Sequence, residues 1–188
     1  MLNKMKKVAI WGVLASLLTM NAAYAVEPSP SAEVTGGSLA LENLLIADFA
    51  SIILDGNTQT TPAVVTPRTL TDSRGSGVGW HVSLKASQFA HGTRIGETLP
   101  FDSLTLGTVS IAEKAGVTGS TAVSGITTLG GTIDNVAGVV ILNAPVDNGM
   151  GTYTVSMENM TLTLQPATTY AGTYTSTVTT TLTSGPIS

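Results

Sequence analysis

From residue 37 to residue 182 the chain is a series of short apolar–polar alternations separated by Gly, Pro, Asn and Asp. A period of two puts successive side chains on opposite faces of a strand, so the pattern predicts β-structure throughout. The clearest case starts at Trp80, where Trp80, Val82, Leu84 and Ala86 alternate with His81, Ser83, Lys85 and Ser87. Strands are also predicted over residues 38–46, 48–54, 64–71, 101–106, 109–111, 153–157 and 160–164. Residues 136–142 form an unbroken, β-branched apolar run, too short for most helices, which predicts a buried strand. Asp55-Gly56-Asn57 and Asp147-Asn148-Gly149 are turn signals, and residues 57–62 and 90–100 read as loops. Pro67 cannot donate to a ladder and implies an edge or a bulge. Glu158-Asn159 implies a bulge or bend rather than a hairpin. Residues 112–131 are small and Gly-rich, and read as loop with short strand pieces and a helical turn near 112–115.

The final strand carries a pattern of its own. Tyr174, Ser176, Val178, Thr180 and Leu182 share one face, and Thr175, Thr177, Thr179, Thr181 and Thr183 the other. The threonine row reads either as a solvated face of good strand formers or as a hydroxyl ladder for a polysaccharide or a second subunit. Many short strands with regular turn signals predict an all-β fold, a single antiparallel Ig-like β-sandwich over residues 37–188.

The N-terminus changes the charge picture. Lys4, Lys6 and Lys7 precede an apolar run over residues 8–20, and Ala23-Tyr24-Ala25 is a small-x-small cleavage site. Residues 1–25 therefore read as a signal peptide, and residues 26–36 as a Pro/Ser linker. The run is too short for a comfortable membrane span and no other follows it, so the mature chain is expected outside the cell with no span. Three of the eight basic residues lie in this segment and all twelve acidic residues lie beyond it, so five cations face twelve anions, a net −7. That balance argues against nucleic acid and against electrostatic capture of anionic polymers. Without cysteine, an exported chain must hold itself by its core, and the ~163 residues left after cleavage suffice for one domain. No LPxTG-like signal or hydrophobic tail is seen at the C-terminus, so surface attachment is expected to be noncovalent.

Chemistry concentrates in residues 69–89. Asp72-Ser73-Arg74-Gly75-Ser76-Gly77 holds no apolar residue, and Gly75, Gly77 and Gly79 permit the positive φ of a turn or bulge feeding the Trp80 strand. Asp72 and Arg74 are two apart and would point the same way on a strand, fixing the turn by an ion pair or by bonds to open backbone groups, or else Arg74 and Trp80 form a ligand platform. Trp80 shares a face with Val82 and Leu84, which favours the core. His81 and His91 have no metal-ligand spacing, and His81, opposite Trp80, reads as solvent-facing. The glycines precede a strand rather than open a helix, so they are not a dinucleotide loop. No nucleophile elbow occurs at Ser73 or Ser76. An enzyme is not expected, and no cofactor is implied.

These residues carry a resemblance. Asp72-Ser73-Arg74-Gly75-x-Gly77-x-Gly79-Trp80, followed by the alternating strand and Phe89, resembles the first signature of the WxL domain of Gram-positive surface proteins. The second signature of that family, a Thr-rich strand of the form Tyr…Thr-x-Thr-Trp-x-Leu ending in Pro, is matched in frame from Tyr174 through Leu182 to Pro186. Thr180 stands where the second Trp belongs, and Val82 where the family usually has Leu. The resemblance spans residues 36–186. It implies a secreted, cell-wall-associated protein that binds peptidoglycan noncovalently, with other surface proteins of the same family as further partners. A structural subunit of an extracellular fibre or matrix is the alternative, with open strand edges available for strand addition.

Overall fold

The computed structural model describes residues 30–187; the signal segment expected over 1–25 and residues 26–29 of the expected linker lie outside the described residues. A compact unit begins at Val34. In chain order its strands are β1 (Leu39–Leu41), β2 (Gln59–Ala63), β3 (Arg68–Asp72), β4 (Trp80–Ala86), β5 (Ala90–His91), β6 (Leu104–Leu106) and β7 (Val109–Glu113). They continue as β8 (Thr127–Thr128), β9 (Gly131–Thr132), β10 (Val139–Ala144), β11 (Gly151–Met157), β12 (Met160–Leu164), β13 (Tyr174–Thr175) and β14 (Val178–Ser184).

The chain is all-β, in several antiparallel sheets. One four-stranded sheet has the order β1-β3-β11-β7, a second β2-β12-β6-β9 and a third β14-β4-β10-β8, while β13 pairs with β5 as a separate ribbon. The first two sheets share a construction. The chain passes from β2 into β3, from β6 into β7 and from β11 into β12, and these segments stand side by side in the same order in both sheets. The two sheets are thus halves of one layer, broken at three adjacent places. Each break has a local cause. Pro67, between β2 and β3, has no N–H to continue a ladder. A Cβ on Gly107, between β6 and β7, would meet Glu158 between β11 and β12. Glu158 instead holds the bend, its N–H donating to Thr108 O at 2.8 Å and its carboxylate accepting from Thr108 N at 3.0 Å.

One core joins all three sheets. Leu70, Tyr153 and Val155 enter it from the first, Leu104, Leu106, Met160 and Leu162 from the second, and Trp80, Val82, Leu84, Leu142 and Ala144 from the third. Alternation along β4 is strict, with every second residue buried from Trp80 to Ala86. Tyr153 is wholly buried; burial pushes its phenol up, and its hydroxyl lies within 2.9 Å of the Thr121 and Met150 carbonyls.

Several elements differ from expectation. The strand expected over 38–46 ends at Leu41, and residues 48–54 form none. This stretch runs instead as a strap beside the layer, tied by an Ile46–Val65 bridge and by bonds from Ala47 N to Val64 O and Thr66 N to Leu45 O. Leu44, Ile46 and Phe49 are half-buried against the core. Alternation reports which side is buried, but a strand needs a neighbouring backbone along its length. The converse holds at residues 57–62, read as loop: most of them form β2, and Pro62 is tolerated because β2 is an edge strand. The expected strand 64–71 is divided at Pro67. The strand at 101–106 shortens to Leu104–Leu106, with Phe101 exposed and Asp102 at φ 63°.

The 109–111 strand lengthens to Glu113, which removes the helical turn expected at 112–115; a 3-10 turn forms at Val123–Gly125 instead. The buried run 136–142 shifts to Val139–Ala144, with Val136 exposed and an irregularity in the register between Val140 and Leu142. The 90–100 loop contains β5. The last strand is interrupted at 176–177, so β13 and β14 take different partners.

Candidate functional site

The first signature forms a corner between β3 and β4. Asp72 ends β3, paired on one side with Leu39 and on the other with Gly151. Its buried carboxylate receives the Arg74 guanidinium in a fork, Nε to Oδ1 and Nη2 to Oδ2 at 2.8 Å each, and the Arg74 backbone N–H at 3.1 Å. Arg74 Nη2 also donates to Gly79 O at 2.9 Å, and Nη1 reaches Ser184 Oγ. Burial alone pushes the Asp72 carboxyl up. The hydrogen bonds and charge of Arg74 outweigh it and hold the group below the usual carboxylate range.

The glycines follow from close approach as well as from φ. Gly75, Gly77 and Gly79 all have φ between 65° and 73°. A Cβ on Gly79 would strike the Ala144 and Pro145 carbonyls, and one on Gly77 the Asp147 carboxylate. Gly77 O accepts from Asp147 N at 2.7 Å, which docks the 147–149 turn on the corner. Trp80 lies beneath that turn with no exposed surface, and its indole Nε1 donates to Gly149 O at 2.9 Å. A side chain on Gly149 would collide with the ring.

The second signature lies along the first. β14 pairs with β4 so that Thr180 faces Leu84, Leu182 faces Val82 and Ser184 faces Trp80. Directly paired residues share a face, so Val178, Thr180 and Leu182 point to the same side as Trp80, Val82 and Leu84. Gly185 N donates to Gly79 O at 3.0 Å, and His81 Nδ1 donates to Gly185 O at 2.8 Å. His81 is therefore half-buried and bonded rather than free in solvent. Thr175, Thr177, Thr179, Thr181 and Thr183 are all exposed.

Asp72, Arg74, Gly75, Gly77, Gly79, Trp80, Val82, Thr180 and Leu182 thus belong to one corner and the strand pair that leaves it. Tyr174 does not. It lies in β13 against β5, at a separate groove with Phe49, Phe89 and Tyr170. Phe89 closes the first signature, whereas Phe49 and Tyr170 sit in no repeating pattern and carry no signal in the sequence. Among the described residues no three His, Cys, Asp or Glu side chains gather as a metal site would need, and no helix is long and apolar enough to cross a membrane.

Thr180 borders a slot of 540 Å³ between β14 and the 39–44 segment, lined by the apolar Leu39, Leu41, Leu44, Val178 and Leu182 and by the polar Glu42 and Asn43. Thr180→Trp should seat its ring there and stabilise the domain by about 1–2 kcal/mol through apolar burial. Thermal unfolding tests this: a lower melting temperature would mean that the slot is too tight and the ring overpacks it.

The fold and the corner define an all-β module built on a buried tryptophan and an ion pair that joins two distant sequence signatures. The chain matches the family described as "WxL domain surface cell wall-binding" over residues 32–186, and it belongs to that family of surface domains. No curated protein and no solved structure matches it.

Proposed function

We propose that this chain is exported, loses residues 1–25 and associates noncovalently with the peptidoglycan of a Gram-positive cell wall. Residues 26–36 serve as a linker and residues 37–188 as the binding domain, which acts by adhesion rather than catalysis. The observation that carries the reading is the family match over residues 32–186, with both signatures held as neighbouring strands.

Four of the five cations beyond residue 25 are engaged within the fold, while Arg68 Nε has no hydrogen-bond partner. Arg74 is paired with Asp72, Arg94 lies over Tyr170, Lys85 donates to Val136 O and Lys114 to Thr69 Oγ1. The five cations are scattered among twelve anions beyond residue 25, so binding is expected to rest on hydroxyl, amide and aromatic contacts. Protein recovered from culture should begin at Val26 and pellet with washed walls. The bound fraction should change less than about twofold between ~0.05 and ~0.5 M salt, a range over which screening dismantles charge-driven binding. Binding that disappears when teichoic acid is stripped, or collapses at moderate salt, would overturn this reading.

One feature favours a fibre subunit as the second reading. β14 is a seven-residue edge strand without charge or proline, open to strand addition. Self-assembly in the absence of walls, seen by sedimentation, would select it.

A further inference from the structure

A second groove lies away from the signature corner. It has a volume of 1080 Å³ and runs between the 44–54 strap and the 169–176 segment. That is just above the ~300–1,000 Å³ typical of small-molecule sites, and it suits an extended ligand. Its floor includes Phe49 and Phe89, packed edge to face with centroids 5.8 Å apart. Asp48 is the one charged side chain among its lining residues.

One wall is organised around an aromatic platform. Tyr170 is 42% exposed, and Arg94 covers one face of its ring, 4.3 Å from the centroid. The backbone of Tyr170 is held by Tyr174, whose hydroxyl accepts from Tyr170 N at 2.9 Å and lies 3.2 Å from Tyr170 O. Tyr174 is braced in turn by His91, edge to face at 4.8 Å. His91 is buried and bonded on both nitrogens. Nε2 donates to Ala171 O at 3.1 Å, while Nδ1 accepts from Thr93 N and Arg94 N at 3.2 Å. The β5–β13 ribbon thus orients the platform and the arginine that backs it, before any ligand arrives. The same wall offers the exposed Thr173 and Thr175, while Thr169 Oγ1 is buried without a hydrogen-bond partner and Ser176 Oγ donates to Ser87 O.

We propose that this groove is a glycan cleft that takes an uncharged, β-linked amino-sugar chain, with Tyr170 as its stacking platform. The assignment rests on the wall-binding reading above and names the part of the wall and the place where it binds. An exposed ring fixed from behind presents an apolar face to the C–H side of a pyranose. Hydroxyls, which both donate and accept, match the equatorial groups of the sugar. Near-absence of charge along the lining suits a neutral chain better than a phosphate polymer.

The test is calorimetric titration of the mature protein with a β-1,4-linked N-acetylglucosamine hexamer, alongside pelleting on purified walls. The wild type should bind the hexamer. Tyr170→Ala should weaken this at least tenfold while its melting temperature stays close to that of the wild type. Ser51→Arg, which projects a long side chain from the opposite, exposed strap, should block the groove and produce the same loss without touching the platform. Hexamer binding unaffected by both variants would overturn the cleft. So would a wild type that pellets with walls yet ignores the hexamer, and that result leaves wall association standing. Failure to bind either walls or hexamer would remove the wall reading and the cleft together. Binding of a wall stem peptide that is lost in both variants, with no hexamer binding, would reassign the groove to peptide.

Discussion

Trp80→Ala is expected to destabilise the domain by about 3–5 kcal/mol, the range for deleting a large aromatic from a packed core. Trp80 is fully buried, and its neighbours along β4 and β10 are fixed by ladders on both sides. Collapse into the vacated space is therefore limited, and the cavity stays. The lost indole also leaves Gly149 O without its donor, a further cost for a buried carbonyl. For a domain of this size the melting temperature should fall by roughly 6–20 °C. Circular dichroism melts on the purified mature chain provide the measurement. A variant that melts with the wild type but no longer pellets with walls would place Trp80 in the ligand site and refute a structural role.

Arg74→Ala should rank next, at about 3–5 kcal/mol, because it strands a buried carboxylate. The side chains of Asp72 and Arg74 are only 2% and 17% exposed, so solvent screens the pair weakly. The variant also frees Gly79 O and Ser184 Oγ, loosening the tie between the two signatures. Arg74→Lys keeps a charge but not the fork, and should fall between the two.

The pH dependence has a defined sign. The Asp72 carboxyl is held below its unfolded value of about 3.9, so its pairing stabilises the fold fully above that pH and is lost as pH falls through the folded value. Without Arg74, burial alone acts and raises the group, so the variant gains relative stability as Asp72 protonates. The difference between wild type and Arg74→Ala should therefore begin to narrow above about pH 4, as Asp72 of the variant protonates, and narrow further below it as the wild type loses its pair. Urea unfolding at a series of pH values measures it. Curves that stay parallel from neutral into acid would show that Asp72 and Arg74 do not act as a pair.

The corner was largely legible in the chain. A short polar run with three alternate glycines before a strict alternation can only be a tight entry to a strand, and β4 begins at Trp80 as that pattern requires. That Asp72 and Arg74 point the same way followed from their spacing, but not whether they pair with each other or bond open backbone groups. What the spacing left open was burial, and with it the depressed carboxyl and the reach of Arg74 to Ser184, 110 positions along the chain. The groove was not legible. Tyr170 and Phe49 sit in stretches without a repeat, and they become a site only because the strap and the β5–β13 ribbon face each other.

By itself the sequence determined the class of fold, the bend at Glu158-Asn159, the turn at 147–149 and the family signatures. Each rests on interactions between residues near in the chain, where side-chain period and backbone preference decide. Only the tertiary structure decided which alternating stretches became strands. Residues 48–54 lost that state for want of a neighbouring backbone, and residues 59–63 acquired it from β12. Likewise, burial of Trp80 needed a turn 69 residues away to cap its indole, and the slot beside Thr180 exists because β14 and the 39–44 segment meet there. Pairing partners and enclosure are properties of distant segments brought together, which a local pattern cannot encode.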